Sequence, residues 1–143
     1  MIKPTRSAAS IQVGAPLPAA EKCFSPVDLV AYGAATWDWH RLHYDVDYAR
    51  KMKLPNVIVD GQAFGAVIAK HALDWFGPRA FITKMTFKMR AMAFAGDTLR
   101  AEGEVTEIRA DGAVDVVVLA QRLMLGERVA AESVTTVRLP RIA

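Results

Sequence analysis

The densest run of chemistry-bearing residues is Thr36-Trp37-Asp38-Trp39-His40-Arg41-Leu42-His43-Tyr44-Asp45. Asp38 and His43 are the pair to single out. A carboxylate and an imidazole together can hold a water, take its proton and return a proton elsewhere. Five residues apart on a regular helix, the two would point roughly 140° from each other, so they converge only if the segment bends. The competing reading makes Asp38 a cap or turn residue and His43 a satisfied core histidine. His40, His43 and Asp45 also raise a metal site. No fourth ligand or cysteine partner accompanies them, and no metal is expected.

Gly61 is the second feature with chemical meaning. It stands where a helix opens, so free backbone N–H groups and the helix dipole favour negative charge there. A glycine lets a ligand come close to the backbone, which suits polarisation of a carbonyl oxygen. The competing reading is that Gly61 simply permits tight packing. His71 falls on the polar stripe of the same helix and is expected at its surface or end. Lys84, Lys88 and Arg90 share a strand face, either solvated or a phosphate-binding edge.

The elements that must position these groups fall into two halves. Up to about residue 77 the signals are helical. Ser25 is an N-cap, Pro26 fits the first helical position, and Asp28 completes a capping box. A short helix begins at Asp45 and ends before Pro55. Val57-Ile58-Val59 reads as a short strand or extended run. Asp60 then caps a helix from Gly61 to about Phe76, stopped by Gly77-Pro78. That helix is apolar on nearly every side, so it should be buried on most sides. From about residue 79 the pattern is period-2: Phe81 to Met89, Leu99 to Glu107, Val114 to Met124 and Val129 to Leu139, separated by Gly96-Asp97, Asp111-Gly112 and Gly126-Glu127. These are long strands on short turns, which predicts an antiparallel meander. The expected fold class is α+β: one hot-dog domain over 1–143, a long antiparallel sheet wrapped around the helix at about 61–76. Residues 1–9 are expected to form a loose tail.

Composition narrows the function classes. The 143 residues carry 18 Lys+Arg against 15 Asp+Glu, a net charge of +3. With no arginine-rich run or aromatic RNA motif, this argues against a nucleic-acid partner. The longest aliphatic run, Val116 to Ala120, is far below the ~20 residues of a membrane span, so no membrane role is expected. A lone Cys23 excludes an internal disulfide, and a reducing cytoplasm is the expected compartment.

Taken together, these motifs resemble the MaoC-like, (R)-specific enoyl-CoA hydratase/dehydratase family of the hot-dog superfamily. Its signature reads approximately Asp-x-Asn-Pro-x-His, then an Ala-containing helix, then Val-His-Gly. Asp38 and His43 fall on the Asp and His, Tyr48-Ala49 on the helix, and Val59-Asp60-Gly61 on Val-His-Gly. Ile11-Gln12-Val13-Gly14 and the Ser25-Pro26 helix start match the family's opening. His40-Arg41 stands where the family has Asn-Pro, and Asp60 where it has His. The string His40 to Asp45 resembles mesaconyl-CoA hydratases. Ala35-Thr36-x-Asp38 and Asp74-Trp75-x-Gly77-Pro78 resemble the small subunits of two-chain steroid side-chain enoyl-CoA hydratases.

The resemblance implies reversible addition of water across a trans-2-enoyl-CoA, with Asp38 and His43 catalytic and Gly61 binding the thioester oxygen. His40 and Asp60 become candidate substrate-positioning residues. It implies no cofactor, the CoA thioester being the substrate. It also implies a homodimer, or a heteromer with a second MaoC-like chain. The alternatives are a non-catalytic thioester-binding subunit and a hot-dog thioesterase. A cone-shaped α+β isomerase or ligand-binding fold also starts with helices, but it has no all-apolar central helix.

Overall fold

Local capping chemistry sets the helix boundaries. In the computed structural model, which describes residues 5–141, the Ser25 hydroxyl accepts a hydrogen bond from the Asp28 N–H at 3.1 Å. The Asp28 carboxylate accepts from the Ser25 N–H at 2.8 Å. This reciprocal box opens α1 (Pro26–Thr36). The Asp45 carboxylate accepts from the Tyr48 N–H at 2.9 Å and opens α2 (Val46–Lys51). The Asp60 carboxylate accepts from the Gln62 N–H at 2.7 Å and opens α3 (Gly61–Phe76), which Gly77 ends at φ 96°.

Ahead of α1 runs a strand that the helical reading of the first half does not anticipate, β1 (Pro16–Cys23). Its two prolines are tolerated because it is an edge strand, and its pairing shifts register between Leu17 and Ala20, where Pro18 interrupts the ladder. The remaining strands are β2 (Phe81–Met89), β3 (Thr98–Asp111), β4 (Val114–Leu125) and β5 (Arg128–Pro140). All pairings are antiparallel, in the order β1-β3-β4-β5-β2.

The expected meander therefore holds only for β3, β4 and β5, which turn at Gly112 and Gly126, both at φ 60°. β2 does not pair with β3. It lies at the far edge against β5. The chain between β2 and β3 instead crosses to the 57–59 segment, where Val59 N–H donates to the Ala93 carbonyl at 2.8 Å and Ala95 N–H to the Val57 carbonyl at 2.9 Å. The extended run expected at 57–59 is held to this crossing by a bridge between Ile58 and Phe94.

The result is a five-stranded antiparallel sheet packed against α3, the hot-dog arrangement. Phe64 and Ile68 of α3 enter one apolar cluster with Phe24, Leu29, Leu99 and Leu123. Ala72 and Phe76 enter a second with Val117, Leu119 and Leu139. Each such fully buried large side chain contributes about 1.5–3 kcal/mol. α3 is less enclosed than its composition predicts: Ala66 and Leu73 are exposed on the side away from the sheet. Against β2, α3 presents glycines one turn apart. A Cβ on Gly65 would meet the Phe87 ring at 2.9 Å, and one on Gly61 the Met89 sulfur at 2.7 Å.

Two further expectations are corrected. Of the tail expected over 1–9, residues 1–4 lie outside the described residues, but residues 5–10 are docked on the end of α3. Arg6 donates through its backbone N–H to the Phe76 carbonyl and through Nε to the Trp75 carbonyl at 2.9 Å, and Ala8 is buried. The last carbonyls of a helix need donors, and Arg6 supplies them. His71 is buried, not at the surface. Its Nε2 faces the Pro18 carbonyl at 2.9 Å and its Nδ1 faces Gln121 Nε2 at 3.1 Å. Gln121 Nε2 also donates to the Ile68 carbonyl at 3.1 Å. These partners place the His71 hydrogen on Nε2 and orient the Gln121 amide.

Replacing Gln121 with Leu removes the donor to both the His71 ring and the Ile68 carbonyl. The expected loss is about 1–3 kcal/mol, read by urea unfolding. A second outcome concerns acid. The Ser25 N–H and hydroxyl, then Lys22, hold the Asp28 carboxyl below its ordinary value. The Tyr48 N–H and Arg41 do the same for Asp45, and Arg90 for Glu132. A carboxyl lowered in the folded state stabilises fully above its unfolded value, and that contribution is lost as pH falls through the folded one. Thermal midpoints should therefore fall between about pH 5 and about pH 2, and less steeply in Asp28→Asn, which keeps a capping side chain but not the charge.

Candidate functional site

α1 ends abruptly, and the ending places the site. Trp37 adopts the left-handed conformation (φ 61°, ψ 28°), and the Asp38 N–H turns back to the Gly33 carbonyl at 3.0 Å. The turn is so close that a Cβ on Gly33 would lie 2.7 Å from the Asp38 carbonyl oxygen. Asp38 Oδ1 then accepts from the His40 N–H at 3.1 Å. His40 caps a single 3₁₀ turn, Arg41–His43, through its Nδ1, which accepts from the Leu42 N–H at 3.3 Å. This is the bend that the spacing of Asp38 and His43 required, and the two side chains do converge: His43 Nε2 lies 4.0 Å from Asp38 Oδ2.

His43 is fixed from behind. Its Nδ1 is 2.9 Å from the Ile58 carbonyl. A carbonyl only accepts, so Nδ1 carries the hydrogen and Nε2 of the neutral ring presents a lone pair to Asp38. The Ile58 N–H donates to the Leu42 carbonyl at 2.9 Å. The 3₁₀ turn is thus stitched to the residue two before Asp60. The side chains of Asp38 and His43 are 33% and 14% exposed, so the pair is reachable from solvent without being immersed in it.

Asp60 completes the cluster. One donor atom from each of Asp38, His43 and Asp60 lies within 4.8 Å of the others, a set that could hold a cation. Asp60 is 6% exposed; Oδ1 caps α3, and Oδ2 is buried without a hydrogen-bond partner. Tyr32 on α1 stands nearby: burial, then the Asp60 charge, raises its hydroxyl above the ordinary value. Tyr32 was not singled out from sequence. The signal was its spacing three residues after Leu29 on the inward side of α1, where a tyrosine hydroxyl needs a polar neighbour.

The alternative ligand set His40, His43 and Asp45 is not assembled. Asp45 is engaged by Arg41, through Nε at 3.0 Å and Nη2 at 2.6 Å. The Arg41 guanidinium lies 4.5 Å over the Tyr48 ring. His40 is exposed and packs edge-on to His43 and Tyr48, with ring centroids 6.1 and 6.4 Å away. At Gly61 both sequence readings keep their ground. Met89 leaves no room for a Cβ, and the Asp60 carboxylate and carbonyl take the N–H groups of Gln62 and Ala63 but not that of Gly61.

A groove of about 530 Å³ lies between β1, α1 and α3, with Phe24, Tyr32, Ala63, Ala66 and Val67 forming an apolar wall and Lys22, Lys70 and Asp74 a charged rim. Tyr32 is common to the groove wall and the surroundings of Asp60. Among the described residues no helix is long and apolar enough to cross a membrane.

Residues 8–124 match the MaoC like domain family. The chain is 31% identical over 119 residues to the 3-oxo-4,17-pregnadiene-20-carboxyl-CoA hydratase beta subunit of Mycobacterium tuberculosis, covering 83% of this chain and 91% of that one. Among solved structures it is similar to the (R)-hydratase from A. caviae involved in PHA biosynthesis, with a TM-score of 0.84 and 25% identity over 92% of this chain and 98% of that one. A chain of the ChsH1–ChsH2 complex from Mycobacterium tuberculosis gives a TM-score of 0.75 and 25% identity over 90% of this chain and 98% of that one. On the family match over most of its length and the shared hot-dog fold, the chain belongs to the MaoC-like dehydratase family.

Proposed function

We propose that this chain catalyses reversible hydration of a trans-2-enoyl thioester, most simply an enoyl-CoA, through Asp38 and His43. The observation that carries the reading is the 4.0 Å separation of His43 Nε2 and Asp38 Oδ2. Two acceptors face each other at a distance too long for a direct hydrogen bond. A water about 2.8 Å from each would subtend about 90° between them, near its own H–O–H angle.

In the hydration direction the water oxygen forms a bond to C3 as the C2–C3 π pair moves toward C2 and the thioester oxygen. Asp38 takes the water proton, His43 orients the water and shares in proton transfer, and the pair gives that same proton to C2. Negative charge developing on the thioester oxygen is met by the Gly61 N–H at the positive end of α3. His40, at the mouth of the site, would position the substrate, and Asp60 lies behind the reacting pair. The step balances with water and thioester alone and calls for no cofactor. The acyl group would lie along the apolar groove. The chain would act as a homodimer, or beside a second MaoC-like chain, in the cytoplasm.

A second reading has a specific observation behind it: one relative is a hydratase beta subunit and one similar structure is a two-chain complex. In that reading this chain binds thioester or completes a heteromer. Retention of both Asp38 and His43 favours catalysis here, because a pure binder needs neither. The test follows loss of enoyl-thioester absorbance with the purified chain on crotonyl-CoA, a medium-chain enoyl-CoA and a steroid side-chain enoyl-CoA. Turnover is expected, lowered on the order of 10²–10⁴-fold by either Asp38→Asn or His43→Ala. Absence of turnover on all three overturns the stand-alone hydratase. Release of free CoA instead would indicate a thioesterase. Gly33→Ala, which forces the Asp38 carbonyl to move, should cost about 10- to 100-fold in kcat, with the α1 helix signal in circular dichroism retained.

A further inference from the structure

We infer that Asp60 is a positioning residue whose charge, not its capping role, supports proton transfer at Asp38 and His43; this rests on the hydratase reading above. Asp60 stands at the N-cap of α3, and a carboxylate there is favoured by the helix dipole. Capping alone does not require a charge, since Asn and Ser cap as well. Burying a carboxylate costs free energy that an amide or hydroxyl avoids. Asp60 is 6% exposed, and its Oδ2 has no hydrogen-bond partner. Its own helix uses only Oδ1. Within the fold the carboxylate charge therefore meets only the α3 dipole, while the capping bond itself needs no charge.

Its surroundings supply one. The donor atoms of Asp60, Asp38 and His43 lie within 4.8 Å of one another. When the Asp38–His43 pair takes the proton from water, it gains a unit of positive charge. A carboxylate already fixed in place beside it meets that charge without reorganising. The transferred proton adds positive charge at the pair that was not there before the step. The interaction is stronger after the proton has moved than before, which is the condition for raising kcat rather than tightening substrate binding. The added charge is the same whichever member of the pair carries the proton. Tyr32, whose hydroxyl is raised by burial and then by the Asp60 charge, lines the groove.

Asp60→Asn separates the two roles, because asparagine keeps the cap and loses the charge. With the purified chain and an enoyl-CoA that the wild type turns over, kcat for Asp60→Asn should fall on the order of ten- to hundred-fold. KM should stay within about twofold, and the thermal midpoint should be equal or higher. Asp60→Ser, a second neutral cap, should show the same split and guards against a folding failure of the first variant. Unchanged kcat in a folded neutral-cap variant would overturn the inference and leave Asp60 a cap. A raised KM at unchanged kcat would overturn it too, assigning Asp60 to substrate binding. If the wild type turns over no enoyl-thioester, the hydratase reading falls and takes this inference with it. Equal turnover by wild type and variants removes this inference alone.

Discussion

Everything at the site hangs on the backbone of one residue, Ile58. Its N–H is spent on the Leu42 carbonyl and its carbonyl receives the His43 ring. On either side, Val57 and Val59 are tied to the chain between β2 and β3 through Ala95 and Ala93. Asn56 reinforces the same seam by donating to the Ala95 carbonyl at 3.2 Å. A three-residue extended segment is therefore clamped on one side to the loop that bears the chemistry and on the other to the crossing that closes the sheet. The position of His43 relative to the start of α3 is set by main-chain hydrogen bonds, which are less tolerant of drift than contacts between long side chains. The same carbonyl that holds the ring also decides which nitrogen carries the hydrogen, so orientation and chemistry share one cause.

That seam would mean little if α3 could slide. Its N-terminal half is fixed by Phe64 and Ile68 in one apolar cluster and its C-terminal half by Ala72 and Phe76 in another. The absence of side chains at Gly61 and Gly65 lets β2 lie directly on it. His71 and Gln121 tie the middle of the helix to β1 and β4. A helix pinned at both ends and in the middle presents its first turn at a constant place. Asp60 and the Gly61 N–H keep their place relative to the Asp38–His43 pair through this, since a loss of an ångström in placement is costly to catalysis.

How much of this could be read beforehand depended on whether the cause was local. The caps at Ser25, Asp45 and Asp60 act over two or three residues, and α1, α2 and α3 begin directly after them. The hairpins at Gly112 and Gly126 are equally local. β1 was hidden because Pro16, Pro18 and two alanines carry no strand signal; its pairing with β3 is a tertiary event. The placement of β2 beyond β5 was hidden for the same reason. Asp38 and His43 were legible by residue type, while their convergence was not, because it rests on a tryptophan in a left-handed turn. Gly33, whose missing side chain permits that turn, carries no local signal of it, because the contact is with the Asp38 carbonyl oxygen beyond the end of the helix. His71 misled because its partners, Pro18 and Gln121, lie about 50 residues away in either direction.

Two buried acceptors lack partners among the described residues, Gln121 Oε1 and Asp60 Oδ2, and the contrast between them bears on where this chain places its cost. The Gln121 amide is neutral, and its nitrogen serves two acceptors, so the network it holds outweighs one idle oxygen. Gly103 makes room for it: a Cβ there would come within 2.9 Å of Gln121 Cγ. Asp60 returns to the fold only the single capping bond through Oδ1. Its idle oxygen belongs to a charged group, and the desolvation of a carboxylate is far more expensive than that of an amide. What can offset it are the positive end of α3 and whatever positive charge appears at Asp38 and His43. The first is permanent and a neutral cap would forgo it cheaply; the second appears only while a proton is in transit. A fold that tolerates the neutral orphan for structure and the charged one at the reacting pair has put its more expensive interaction where charge is expected to move.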